Sequence, residues 1–308
     1  MLKVVEIHNA SSVHLGTSPE TRGLEVRCRM HTIVGPRELD DYRLSGVYGK
    51  TGMPFKIEEV HYAQEQLQGS KAYQVLTKGV SDAVFSGLQD NNRVLVVGGT
   101  CVQAPGTAGG MRRHFGTEAR LGIIWLDAHG DINIPETSHS GMLGGMPFAV
   151  LLGMCLPQWQ EACGLVPPFE ARYAIHSDAR SFDAEEMDNV KDSELTMVNT
   201  ADFIDEDLWR RQVQELASKV DTIYLHIDAD IVDSRYLPNV NTPEPNGPDI
   251  WTLMNNLRAV MDTGKVSVIA LASVYFDTDD NRVSKNAGSE TAILSGIRML
   301  GAMLEKWA

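Results

Sequence analysis

Cysteine is scarce: Cys28, Cys101, Cys155 and Cys163 are the four in 308 residues, without a regular spacing. That excludes a disulfide scaffold and predicts a reducing, cytoplasmic setting, in which Cys155 and Cys163 pair only by accident of the fold. Long apolar runs are missing as well. None approaches the roughly 20 residues of a spanning helix, and the opening MLKVVEIHNA carries charge inside its apolar stretch, unlike a secretory leader. Positive charge is in deficit, with 27 Lys and Arg against 41 Asp and Glu and a formal net charge of -14. Neither nucleic acid nor an anionic membrane surface suits such a chain, although part of the acidity can serve as cation ligands. The pair Gly109-Gly110 precedes Met111-Arg112-Arg113 rather than Gly-Lys-Ser/Thr, so it is no phosphate loop. Without a basic cluster to receive phosphate, phosphoester chemistry is disfavoured. No repeat, low-complexity tract or linker divides the chain, and its length predicts one large α/β domain over 1–308.

What the sequence does contain is concentrated at two strand ends. The apolar run at 121–126, LGIIWL, leads directly into Asp127, His129 and Asp131. Such a run predicts a buried strand, and in open α/β sheets ligands gather beyond the carboxyl ends of strands. If the extended conformation persists, the period of two turns the three side chains to one side. Taken alone, the stretch also fits a turn in which aspartate caps a helix and the histidine is incidental. The pattern recurs at 222–230, TIYLHIDAD, where alternation places His226, Asp228 and Asp230 on one face. Four carboxylates and an imidazole exceed the needs of one small cation. A pair of divalent ions with bridging carboxylates is the economical reading. Oxygen-rich ligation favours manganese, with magnesium, iron, zinc and nickel as alternatives. Two metals sharing a water generate hydroxide near neutral pH and can aim it at an electrophilic carbon.

Periodicity elsewhere gives a coarse frame. Strands are expected at 2–8, 93–99, 173–176 and 266–275, and loops over most of 9–53. Helices are expected within 58–89, 106–120, 148–155, 183–190, 205–219, 251–261 and 290–307. The Gly-rich segment 134–147 and the stretch 239–249 read as loops. Glu244 in the latter reads as a turn residue, and Arg112 and Arg113 as ordinary helix charges.

The DAHGD at 127–131, its continuation INIPETSHSGMLGGMP and the DAD at 228–230 resemble the motifs of the ureohydrolases: arginase, agmatinase, formiminoglutamase and their relatives. The resemblance runs over roughly 93–275. It implies a three-layer α/β/α fold with a mainly parallel sheet and two divalent metal ions, usually manganese. It also implies hydrolysis of a guanidino, hydroxyguanidino or amidino C–N bond, and a trimer or hexamer. Asp127 and Asp228 would bridge the metals, His129 and Asp230 would complete one, and Asp131 would bind the other and orient the hydroxide. Asn133 and Ser140 match positions that hold the substrate's amino-acid end.

Several positions depart from the pattern. Gly98-Gly99-Thr100-Cys101-Val102 puts Cys101 where the family has its first histidine ligand. A thiolate is a softer ligand, so Cys101 shifts the expectation from manganese toward zinc, iron or nickel; an inert buried cysteine beside a one-metal site is the alternative. Cysteine at this position also resembles the hydroxyarginine hydrolase of D-cycloserine biosynthesis. A histidine thought to relay protons in arginase is replaced by Gly144, and His139 either compensates or is a surface histidine. The glutamate that grips the guanidinium becomes Tyr275, with Asp277, Asp279 and Asp280 close behind. Asp233-Ser234 stands where Asp-Pro is usual. His226 reads as a donor behind the ligands rather than a ligand. Two functions therefore compete: a binuclear hydrolase, and a degenerate non-catalytic member that binds a ligand or partner at a one-metal site.

Overall fold

The computed structural model describes all residues except 8–11, 16–25, 30–36, 61–71, 192, 239, 241, 275–288 and 308. Its centre is an eight-stranded sheet in the order β4-β1-β5-β10-β9-β6-β7-β8. These are β1 (Leu2–Ile7), β4 (Phe55–Val60), β5 (Arg93–Val97), β6 (Leu121–Leu126), β7 (Ala174–Ser177), β8 (Thr196–Val198), β9 (Thr222–Asp228) and β10 (Val266–Ala272). Every pairing among them is parallel. The two remaining strands, β2 (Ser12–Leu15) and β3 (Val26–Arg29), form a separate antiparallel pair.

Parallel strands need crossovers, and the helices that supply them cover both faces of the sheet. Helices α2 (Ala72–Leu88), α3 (Ala104–Phe115), α4 (Pro147–Leu151) and α5 (Pro157–Cys163) pack on one face, against Val94, Val96, Ile123, Trp125 and Tyr224. Helices α1 (Arg37–Ser45), α6 (Thr200–Ile204), α7 (Glu206–Lys219), α8 (Ile250–Met261) and α9 (Ser289–Leu304) pack on the other, against Leu95, Val97, Ile124, Leu225 and Ile269. Alternation along β5 explains the split, since Val94 and Val96 point one way and Leu95 and Val97 the other. This is the expected three-layer α/β/α architecture. No described helix is long and apolar enough to cross a membrane.

Three local expectations need correction. Residues 58–60 are strand rather than helix start, because β4 pairs with β1 through Val60, which is buried against α2, while Glu58 and Glu59 stay exposed on opposite faces of the strand. A strand at the open edge of the sheet tolerates that polarity, and tertiary pairing overrode helical spacing. Within 9–53, expected as loop, lie β2, β3, α1 and a 3-10 turn at Val47–Thr51. Between 183 and 190 the chain makes only a 3-10 turn at Glu186–Asn189, and β8, α5 and α6 were not anticipated. Cys155 and Cys163 are free thiols.

Candidate metal centre

Four neighbouring strands, β5, β10, β9 and β6, end side by side, and each delivers one group to the same spot. Beyond β5 the chain turns through Gly98 and Gly99, both left-handed at φ 86° and 70°. A Cβ on Gly98 would sit 2.7 Å from the Ile7 carbonyl oxygen, so the turn requires glycine. It sets Cys101 at the head of a 3-10 turn, 4% exposed. Past β6 comes Asp127, at the end of β9 Asp228, and past β10 Ser273, all buried. The Cys101 sulfur lies 2.8 Å from Asp228 Oδ2 and 3.8 Å from Asp127 Oδ2, and the Ser273 hydroxyl donates to Asp228 Oδ2 at 2.7 Å. The sulfur therefore faces carboxylates, while the residue also packs in the apolar cluster on that face of the sheet.

Among the described residues two candidate ligand groups emerge, each with atoms within 4.8 Å of one another: Cys101, Asp127 and Asp228, and Asp127, His129 and Asp230. Asp127 belongs to both. Its Oδ1 accepts the backbone N–H of His129 at 2.8 Å and its Oδ2 the indole N–H of Trp125 at 3.1 Å. His129 Nδ1 is 3.1 Å from Asp230 Oδ2 and 3.5 Å from Asp127 Oδ1. Asp230 sits in a 3-10 turn after β9, where Asp228 Oδ1 accepts its backbone N–H at 3.1 Å. Strict alternation does not persist past either strand. Asp131 is left-handed at φ 50° and stands outside both groups, although it lines the same cavity.

The electrostatics suit a cation. Burial and then the charge of Asp228 raise the Asp127 carboxyl; burial and the charge of Asp127 raise Asp131 well above the usual range and raise Asp230 as well. Burial and the charge of Asp230 push Asp228 up to about 7, against hydrogen bonds from Cys101 and Ser273 that pull it down. Burial works against a charged His129, but its hydrogen bonds to Asp127 and Asp230 hold it at about 12. Four buried carboxyls thus resist sharing negative charge, and the counterweight among them is a protonated imidazole. A divalent cation would discharge the same repulsion and free the imidazole to ligate. The donor set of carboxylates, one imidazole and one thiol fits a manganese-, iron- or zinc-type ion.

The centre forms the floor of a cavity of about 250 Å³. Asn133 and Ser140 line it, as does Gly144. His139 does not: its ring is 60% exposed, with Nε2 2.6 Å from Glu185 Oε2. Tyr275, with Asp277, Asp279 and Asp280, lies outside the described residues. Glu244, expected to be only a turn residue, brings Oε1 to 3.4 Å from His129 Nε2. Sequence reasoning missed Ser273, Thr242, Asp183 and Glu186, which all line the cavity. Thr242 donates to Asp230 Oδ2 at 3.3 Å, and Asp183 Oδ2 accepts the Asn133 amide at 3.0 Å. Glu186 accepts the backbone N–H groups of Ile132 and Asp183, both at 3.0 Å. Their sequence signal was slight: Thr242 is a polar residue in an expected loop, Ser273 lies within an expected strand, and Asp183 and Glu186 within an expected charged helix. His226 lies behind the cavity, with Nε2 3.3 Å from the Cys101 sulfur.

Comparison with known proteins agrees with this geometry. The Arginase family model matches residues 25–295. Over 197 residues the chain is 32% identical to the arginase of Bacillus caldovelox, a match covering 62% of this chain and 64% of that protein. With the arginase of Bacillus subtilis (strain 168) it is 28% identical over 243 residues, 78% of this chain and 79% of the relative. The match thus spans slightly less than two thirds of the first relative and more of the second. The crystal structure of Bacillus subtilis arginase superposes with a TM-score of 0.76 at 22% identity, over 98% of each chain, and so supports the fold.

Proposed function

The chain belongs to the Arginase family, and we propose that it is a binuclear metal-dependent hydrolase cleaving a C–N bond of a small guanidino, hydroxyguanidino or amidino compound. The observation that carries this is the pair of ligand groups joined through Asp127 on the cavity floor. Cys101 and Asp228 would hold one ion, His129 and Asp230 the other, with Asp127 between them. Divalent ions held there would supply acidification of a water and polarisation of the bond to be cleaved.

The protein's own groups do the rest. Asp131, turned into the cavity beside the ligands, accepts a hydrogen bond from the attacking water and orients it. Trp125, Ser273 and Thr242 hold Asp127, Asp228 and Asp230 in place through one hydrogen bond each. At the mouth, Asp183 belongs to neither ligand group; it offers a carboxylate to a cationic end of the substrate and is fixed by Asn133. Ser140 lines the same wall and supplies a hydroxyl.

The test is release of urea or ammonia across a panel of guanidino and amidino compounds, with the protein loaded in turn with manganese, zinc, iron and nickel. Elemental analysis should find two ions per chain, and Asp127→Asn should abolish both binding and turnover. Tight binding of no ion by the wild type, together with an Asp127→Asn variant indistinguishable from it, would sink the proposal.

A further inference from the structure

We infer that Tyr224 and His226 are positioning residues for Cys101: they aim an N–H at its sulfur and thereby set which metals that half of the centre accepts. The inference rests on the binuclear reading above. Alternation along β9 sends Tyr224, His226 and Asp228 to the same face, so the strand that ends in a ligand also carries two polar side chains behind it. Both are fully buried. Tyr224 Oη lies 2.8 Å from His226 Nδ1, and His226 Nε2 lies 3.3 Å from the Cys101 sulfur. The result is a continuous chain, Tyr224 to His226 to Cys101.

Its direction follows from what the sulfur can do. A cysteine bound to a metal is a thiolate, with lone pairs and no proton. An unprotonated Nε2 facing it would oppose lone pairs in a dry interior. The arrangement that satisfies both ring nitrogens has the imidazole proton on Nε2, donated to sulfur; Nδ1 then accepts from the Tyr224 hydroxyl. The ring is held in this plane. His226 stacks on Trp125 at 3.8 Å and 16°, and Trp125 stacks on Phe148 at 4.9 Å and 29°.

An N–H donor draws electron density from a thiolate and makes a soft ligand behave as a harder one. The buried chain therefore counteracts the preference that Cys101 introduces, allowing manganese-type ions to be held by a group containing sulfur. Three variants separate this role from simple packing. His226→Phe keeps the stacked ring and removes the donor, His226→Gln keeps an N–H near the position of Nε2, and Tyr224→Phe removes the hydroxyl that fixes the tautomer.

Manganese and zinc dissociation constants would be measured by chelator competition on the full-length chain, alongside the sulfur-to-metal charge-transfer band of the cobalt-loaded protein. Thermal melts of the metal-free variants report folding. In His226→Phe we expect manganese binding at one site to weaken about 10- to 100-fold, zinc to be affected less, and the band to move to longer wavelength. His226→Gln should restore most of the loss, and Tyr224→Phe should fall between. Should His226→Phe not fold, the other two variants decide the matter by the same readouts. A wild type that holds two ions while the variants keep its manganese-to-zinc ratio and its band overturns this inference alone. Equal loss for both metals with an unmoved band also overturns it, since that is what a packing role gives. If the wild type holds no metal, the binuclear reading fails and this inference fails with it.

Discussion

Asp127 is the residue on which both ligand groups turn, because its two oxygens are fixed by different donors, Trp125 and the backbone of His129. Asp230 belongs to one group only. Asp230→Asn should therefore leave about one ion per chain by elemental analysis where Asp127→Asn leaves none. Asp183 lies outside both groups on the cavity wall, so Asp183→Asn should raise KM for a cationic substrate with a smaller effect on kcat. The same residues set the response to pH. Asp228, held at about 7 by burial and the charge of Asp230, and His129, held at about 12 by its carboxylate partners against burial, bind more protons folded than unfolded. Stability of the metal-free protein should consequently fall as pH rises from about 6.5 to 8. His176 and His226, pushed by burial down to about 4 and about 3, act in the opposite sense, but only below the ordinary histidine range. Bound metal replaces the protons, so the gap in melting temperature between loaded and chelator-treated protein should widen over the same interval. A constant gap would contradict this assignment.

At the scale of elements, the centre depends on how strands stop. The turn after β5 is tied to β10 at two points: Gly98 N–H donates to Leu271 O at 3.2 Å, and Ser273 N–H donates to Gly99 O at 3.0 Å. One turn thus positions both Cys101 and Ser273. Ser273 adopts φ 59° and Asp131 φ 50°, left-handed conformations that side-chain-bearing residues rarely take and that cluster at functional sites. Gly98→Ala would force a Cβ to 2.7 Å from a backbone oxygen. It should cost about 1–3 kcal/mol in thermal or denaturant unfolding and weaken the ion shared by Cys101 and Asp228 more than the other. A remote comparison is Asp249, whose carboxylate accepts the N–H groups of Trp251 and Thr252 at the start of α8. Asp249→Ala should cost about 1 kcal/mol with metal binding unchanged.

For the whole molecule, the eight strands share one sheet with helices on both faces, and cluster residues from 2 to 307 contribute to its two cores. We expect residues 1–308 to unfold in a single calorimetric transition, and two well-separated transitions would argue for two domains instead. Metal should raise that transition. Each site filled at about 100 times its dissociation constant adds roughly 2.7 kcal/mol, so wild type should gain about twice what Asp230→Asn gains.

Much of this was already in the sequence, for a physical reason. Runs such as LGIIWL and TIYLHID are apolar throughout because both faces of a parallel strand are buried, and the acids that end them are short-range features of the chain. Those runs determined the class of fold, the principal strands and the metal-type residues Asp127, His129, Asp228 and Asp230. Tertiary structure alone decided which ends become neighbours. Cys101 meets Asp228 across 127 positions and His226 across 125, and no local pattern encodes a strand order that brings β5, β10, β9 and β6 together. The same long-range packing turned His139 outward toward Glu185, brought Asp183 to the cavity wall, and made a strand of residues 58–60, because pairing with a neighbour outweighs local spacing.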